Sequence, residues 1–363
     1  MPELLEIWLY MLTILLMLGA GLILHLFIHE LGHLLFGLAT GYGFVYFYFF
    51  AWVLTRTGGR LFLDKLRLEG VQGQCMMVPS DRFQPEKHPV VPYNLGGSMA
   101  NLIVVGITYA AWLLSSRGLW FTGLCLGFGG AGLCVCLINV IPQWNRGIPN
   151  DGYNLWAICK SGAARICFIH QLKITHALVE GIPLGRMPSS WFETPEGADW
   201  SNPHCAATGY AQAMRGLEAM DFQNTRARVD WLLEHAKGLA RIHRMELQAE
   251  RLFLSLLLRE DRSEPAGAEW TRIYTEELRG YLQRNGRSLP HKRHLYALAR
   301  LADQDPEQAR KCRDDFEALA GSSPHPEQVR TYRALMDQVD ALYDRQMKSA
   351  AHGPDEAPRC DAR

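Results

Sequence analysis

The chain has 363 residues, with 37 basic and 37 acidic side chains and a formal net charge of zero, so no global basic field points to nucleic acid. Mean hydropathy is near neutral at −0.07, but the average hides two parts. The long uncharged stretches crowd into the first ~160 residues, and the remainder is rich in Arg, Glu, Asp, Gln and Ala, which implies lipid around the first part and water around the second.

Crossing a bilayer takes about 20 apolar residues. Three stretches meet this, at about 7–38, 95–116 and 119–141. The first has no basic leader, Glu3 and Glu6 being its only early charges, and is read as a retained span. Basic residues cluster between the first and second spans (Arg56, Arg60, Lys65, Arg67, Arg82, Lys87) and after the third (Arg146, Lys160, Arg165). By the positive-inside rule the N-terminus lies outside, and the loop near 40–90 and the C-terminal part lie inside. Within that loop, the aromatic run Phe44–Phe50, the turn Thr57-Gly58-Gly59-Arg60 and the stretch Arg60–Leu63 predict a short hairpin or sheet dipping toward the membrane.

Inside the first span stands His29-Glu30-Leu31-Gly32-His33, an H-E-x-x-H pattern. On a helix the two histidines share a face one turn apart and can reach one metal, with the glutamate beside them. A bound zinc lowers the pKa of its water from about 15.7 to about 7, and Glu30 can take the proton. Ionisable groups in an apolar helix cost roughly 2.5–3.5 kcal/mol each on insertion scales, so three at ligand spacing need a reason. Catalytic zinc needs a third protein ligand and one open position. Topology returns the chain to the same membrane face just after the third span, where Asp151 precedes Gly152. An Asp-Gly turn is the plain alternative for that dipeptide. His25, one turn before His29 on the same face, offers an extra or alternative ligand, but Glu30 would then be misplaced for the pair His25/His29, and a supporting or water-lined role is the milder reading.

These motifs resemble the site-2 protease family. They are His29–His33 in the first span, Gly96-Gly97-Ser98-Met99-Ala100-Asn101 opening the second, and Asn139…Pro142…Asp151-Gly152 after the third. The resemblance covers about 1–155. It implies a three-span intramembrane metalloprotease core with one Zn2+ per chain held by His29, His33 and Asp151. It further implies Glu30 as general base, Asn101 as a substrate-orienting or oxyanion-binding group, and 44–77 in the place of a membrane β-hairpin that adds a substrate strand. The implied substrate is a membrane protein or membrane-bound peptide. Three departures stand out: Ser98 where the family usually has Pro, a longer spacing from Pro142 to Asp151, and Asn150 where Leu is usual.

The expected fold class is therefore a mainly α, multi-pass membrane protein of a bacterial plasma membrane, with a short membrane-associated β-hairpin and a cytoplasmic all-α, helical-repeat-like domain. Its parts are the core at 1–155, a connector at 156–198, a helical domain at 199–347 and a disordered tail at 348–363. Amphipathic helices are expected at about 209–219, 225–240, 245–258, 270–284, 291–302, 306–320 and 326–347. Residues 210–222 have the flavour of a tetratricopeptide repeat, but the roughly 34-residue period of such repeats is not evident. A protein partner on this domain is one reading and a plain stabilising bundle the other. His204, His235, His243, His291 and His294 are read as surface residues. Nine cysteines, including a Cys134/Cys136 pair without zinc-ribbon spacing, fit free thiols. The rival functions are a catalytically silent scaffold and a metal transporter using His25, His29 and His33.

Overall fold

The computed structural model describes residues 2–65, 71–145, 148–259, 269–323 and 325–351. Among these the chain is mainly helical, with thirteen α-helices and a small four-stranded sheet. It divides into two compact units, 1–180 with 189–208, and 181–188 with 209–363.

The first unit opens with α1 (Pro2–Ala39), followed by four antiparallel strands, β1 (Tyr42–Phe49), β2 (Trp52–Thr57), β3 (Arg60–Lys65) and β4 (Gly73–Pro79). Two apolar helices come next, α2 (Val90–Leu114) and α3 (Leu119–Val140). The spans Glu3–Ala39, Pro85–Leu114 and Leu119–Val140, of 37, 30 and 22 residues, are long and apolar enough to cross a membrane. Their outward residues are apolar: Leu15, Leu16, Ile23, Leu24, Leu35 and Leu38 of α1 are exposed. The polar His25, His29, Glu30 and His33 of the same helix are buried. A helix in water shows the opposite arrangement.

Apolar side chains gain nothing by leaving lipid for one another, so such helices associate through close packing. Small residues permit it here. A methyl on Gly32 would lie 2.3 Å from the Gly96 carbonyl oxygen and 2.7 Å from Ala100 Cβ, so α1 and α2 touch backbone to backbone.

The sheet has the order β3-β2-β1-β4. A single hairpin is thus extended by two further strands, because β4 returns to pair with β1 from Tyr42↔Pro79 to Phe49↔Gly73. After α3 a two-residue ribbon, β5 (Trp144–Asn145) with β6 (Ile148–Pro149), leads into α4 (Asp151–Cys159) and α5 (Gly162–Val179). Ile158, Phe168, Ile169 and Leu172 share one core with Tyr42, Val45, Met77 and Tyr93. Segment 156–180, expected as a connector, therefore packs into the first unit, drawn there by its apolar face. The division between units falls inside α6 (Pro203–Glu218), and His204 at its start is buried against Phe168 rather than at the surface, with ring centroids 5.1 Å apart.

The second unit holds the rest of α6, then α7 (Phe222–His235), α8 (Arg241–Leu257), α9 (Glu269–Ile273), α10 (Glu276–Arg284) and α11 (Leu289–Ala297). A π-turn at Leu298–Ala302, α12 (Pro306–Gly321) and α13 (Pro326–Ala351) complete it. The span expected at 270–284 is two helices, because Thr275 caps α10 by accepting from the Leu278 amide. Of the tail expected from 348, residues 348–351 belong to α13 and 352–363 lie outside the described residues. Leu252, Phe253 and Leu254 of α8 are fully buried, each contributing about 1.5–3 kcal/mol against water.

This core also contains charge. Arg293 and Glu250 are buried as an ion pair, the guanidinium lying 4.2 Å from the Phe253 ring centroid. His294 Nε2 accepts from Arg293 at 3.1 Å, and His291 Nε2 lies 3.5 Å from Glu246. His291 and His294 are thus interior residues, not surface ones, His294 beside the Arg293–Glu250 pair and His291 against Glu246 and the Tyr281 ring.

Two predictions follow from this packing. Gly32→Ala forces α1 and α2 apart and should destabilise the detergent-solubilised protein by about 1–3 kcal/mol in thermal unfolding. Gly106→Ala, where a methyl meets nothing within 4 Å, should cause no loss. The second unit should also weaken in acid. Burial holds His243 and His291 below their ordinary 6.5, at about 4. Burial alone would raise Glu250 above its ordinary 4.5, but Arg293 and His294 outweigh it and bring it to about 2. In each case the unfolded chain binds more protons, so stability is lost as pH falls from 6.5 through about 4 for the histidines, and from 4.5 through about 2 for Glu250. Hydrogen exchange of α8 and α11 amides, corrected for intrinsic rates, should show protection falling over that range.

Candidate metal centre

Three side chains far apart in sequence converge in the first unit. His29 Nε2 lies 2.8 Å from Asp151 Oδ2, His33 Nε2 lies 3.2 Å from the same oxygen, and the two Nε2 atoms are 3.2 Å apart. Among the described residues this is the one group of three or more His, Cys, Asp or Glu side chains placed to hold a metal ion.

Each position has a local cause. Helical periodicity sets His29 and His33 on one face of α1, turned toward α2. The close approach of that helix is again a matter of missing side chains, since a methyl on Gly97 would lie 2.6 Å from His29 Cε1 and Nε2. His33 Nδ1 donates to the Tyr93 carbonyl at 2.8 Å, so in the neutral ring Nε2 is a bare lone pair aimed into the site.

Asp151 is delivered by Asn150, the residue that caps α4. Asn150 Oδ1 accepts from the Tyr153 and Gln143 amides at 2.9 and 3.0 Å. Its Nδ2 donates to the carbonyls of Ile138 and Ile141, both at 2.6 Å. One amide thereby ties the frayed end of α3 to the first turn of α4. Gly152 completes the junction, for a methyl there would lie 2.1 Å from the Val140 carbonyl oxygen. The Asp151 side chain keeps 24% of its surface exposed, so the cluster opens on that side while the two histidines are covered.

Glu30 lies against β4: a methyl on Gly73 would meet Glu30 Cγ and Oε1 at 2.9 Å. It is near enough to interact electrostatically with His33, His29 and Asp151. Asn101 is fully buried on α2, its amide between His25 Nδ1 at 3.0 Å and His29 Nδ1 at 3.3 Å. Thus His29, His33 and Asp151 come together with Glu30 beside them. Asn101 sits behind the histidines with both amide atoms engaged, and His25 is not among the converging donors.

The donor set fits zinc. Two imidazole nitrogens and a carboxylate oxygen leaving one position free is a catalytic zinc constellation, and tetrahedral bonds of about 2.0–2.2 Å place ligand atoms about 3.3 Å apart. A cation also relieves an unfavourable contact, because the bare His33 lone pair and the Asp151 oxygen otherwise face each other at 3.2 Å.

Two contributors were not anticipated from sequence. Tyr93 acts through its backbone carbonyl, which leaves no side-chain signal. Asn150 had one, being a strong helix-capping residue directly before Asp-Gly. Comparison with protein-family models, with curated proteins and with solved structures gave no match, so the site stands on its own geometry.

Asp151→Asn and His33→Ala each remove one donor. Either should reduce bound zinc per chain from about one to well below half after dialysis against a weak chelator, read by atomic absorption. Asn150→Ala, which frees the loop that carries Asp151, should reduce it partially.

Proposed function

We propose that this chain is an intramembrane zinc metalloendopeptidase similar to site-2 proteases, hydrolysing peptide bonds in or near transmembrane segments of membrane-protein substrates. One observation carries the reading: Asp151 of α4 converges within hydrogen-bonding distance on His29 and His33, which, with Glu30 beside them, stand in a helix long and apolar enough to cross a bilayer.

His29, His33 and Asp151 would hold the metal. When bound, zinc acts as a Lewis acid that polarises a substrate carbonyl and acidifies water at neutral pH. Glu30 takes the proton of the attacking water and passes it to the leaving amine, so one carboxylate serves as base and then as acid. Burial of Glu30 and both histidines keeps bulk water from competing, and the open side at Asp151 admits the substrate. β4 supports this reading as well. It is an edge strand of the sheet and passes directly against Glu30. An extended peptide held by main-chain hydrogen bonds along that edge would lie beside the catalytic groups, and would replace the bond that the Cys75 carbonyl accepts from the Tyr93 hydroxyl. A transmembrane helix must unwind locally to present such a strand. The spread of basic residues puts the N-terminus outside and the helical domain inside.

The test is cleavage of tagged single-span substrates by purified protein, comparing wild type with Glu30→Gln while zinc content is measured in both. General acid–base catalysis is worth about 10²–10⁴-fold. Cleavage should therefore fall at least 100-fold in the variant with zinc retained. Equal cleavage by both would overturn the mechanism.

A further inference from the structure

The Asn101 amide bridges two histidines of α1 that lie one turn apart. Its Oδ1 faces His25 Nδ1 at 3.0 Å and its Nδ2 faces His29 Nδ1 at 3.3 Å. All three side chains are buried. Neither ring has room to turn away. A methyl on Gly97 would press on His29 at 2.6 Å, and one on Gly132 would press on His25 Cε1 at 2.4 Å.

This bridge has consequences for the proton on His29. With the amide nitrogen donating to Nδ1, the neutral ring must carry its proton on Nε2. That proton then points at Asp151 Oδ2, 2.8 Å away, giving a satisfied arrangement without a metal. Metal ligation demands the other tautomer, with Nε2 bare and Nδ1 protonated. Nδ1–H then needs an acceptor, and Asn101 Oδ1 is the polar atom that a 180° turn of the amide supplies. Oxygen and nitrogen of a side-chain amide fill the same envelope, so the turn costs no repacking. It also brings Nδ2 to His25 Nδ1, which must then accept, leaving the His25 proton on Nε2. His25 Nε2 has no hydrogen-bond partner in the structure.

We infer that Asn101 is a positioning residue of the metal centre, whose amide, held between His25 and His29, selects the metal-binding tautomer of His29. The inference rests on the metal-centre reading above. It gives His25 a role without making it a ligand, and it assigns Asn101 to the ligand's far nitrogen rather than to a substrate oxyanion. The bridge has two settings, one for each occupancy of the site, and the amide and both rings change together between them; the loaded setting leaves the His25 Nε2 proton without a partner.

The experiment measures Co2+ affinity by chelator competition on full-length protein in detergent, with the visible absorption of bound Co2+ reporting ligand geometry. Asn101→Leu keeps the shape and removes both polar atoms. Loss of such a supporting group typically weakens metal binding about 10–100-fold, and that loss is expected here. Asn101→Asp keeps an acceptor for His29 Nδ1–H, and His25 can donate to its second oxygen. It should bind within about threefold of wild type with an unchanged spectrum. Selective ¹⁵N-histidine NMR should show the His29 proton moving from Nε2 to Nδ1 on loading in wild type, and already on Nδ1 before loading in Asn101→Asp, whose carboxylate can only accept.

An Asn101→Leu protein that folds and binds like wild type overturns the inference. Should that variant not fold, Asn101→Asp and the wild-type spectra decide, with a loss of tenfold or more in Asn101→Asp, or a wild-type His29 proton that does not move on loading, counting against it. Wild type that binds no Co2+ overturns the metal-centre reading itself, which is a separate outcome.

Discussion

The first unit depends on one constraint: polar groups within apolar helices must find all their partners inside the protein. Hydrocarbon offers none, so every lone pair and N–H at that depth is either matched or costly. His33 is matched by the Tyr93 carbonyl and His29 by the Asn101 amide. Asp151 faces both histidines. These partners come from α1, α2 and the first turn of α4, so no helix can shift without orphaning a buried group. The glycine contacts at Gly32, Gly97 and Gly152 are the steric counterpart, since each removes a side chain where two backbones, or a backbone and a ring, must touch. Close approach and polar satisfaction are thus two descriptions of the same packing.

The sheet extends this logic to Glu30, against which β4 lies. β1 is paired on both edges, by β2 and β4, whereas β4 is paired on one. Its apolar residues Cys75, Met76 and Met77 are buried against the core shared with α5, which fixes the strand in place. Along its other edge the Cys75 carbonyl accepts from the Tyr93 hydroxyl, which ties the strand to α2.

The second unit solves the same electrostatic problem in its own core. Arg293 and Glu250 are as deeply buried as His29, His33 and Glu30, and they too are flanked by supporting groups, here His294 and the Phe253 ring. A buried ion pair is seldom a net source of stability, because desolvation offsets its attraction. Its effect is to penalise any packing in which a partner is missing, which holds α8 and α11 in one arrangement.

Much of the site could be read from the chain. The i, i+4 histidines with an intervening glutamate lie on one helical face whatever the tertiary structure, because helical periodicity alone puts them there. The three apolar stretches are likewise legible, since span length depends only on the thickness of hydrocarbon. Asp151 was reachable through topology, as the end of the third stretch returns to the face where the first one ends. What folding alone decided lies in contacts between distant segments. The Tyr93 carbonyl acts through backbone, which carries no residue signature. β4 joined β1 to make a sheet of four strands because pairing depends on which edges meet in space. Helix α5 left the expected connector for the core because its apolar face found β4. His291 and His294 are interior residues because α11 packs against α8, and sequence spacing does not report burial. The Asn101 amide faced two histidines only once α1 and α2 had closed on each other. Local periodicity is written in the order of residues; partnership between segments is fixed by the packing that brings them together.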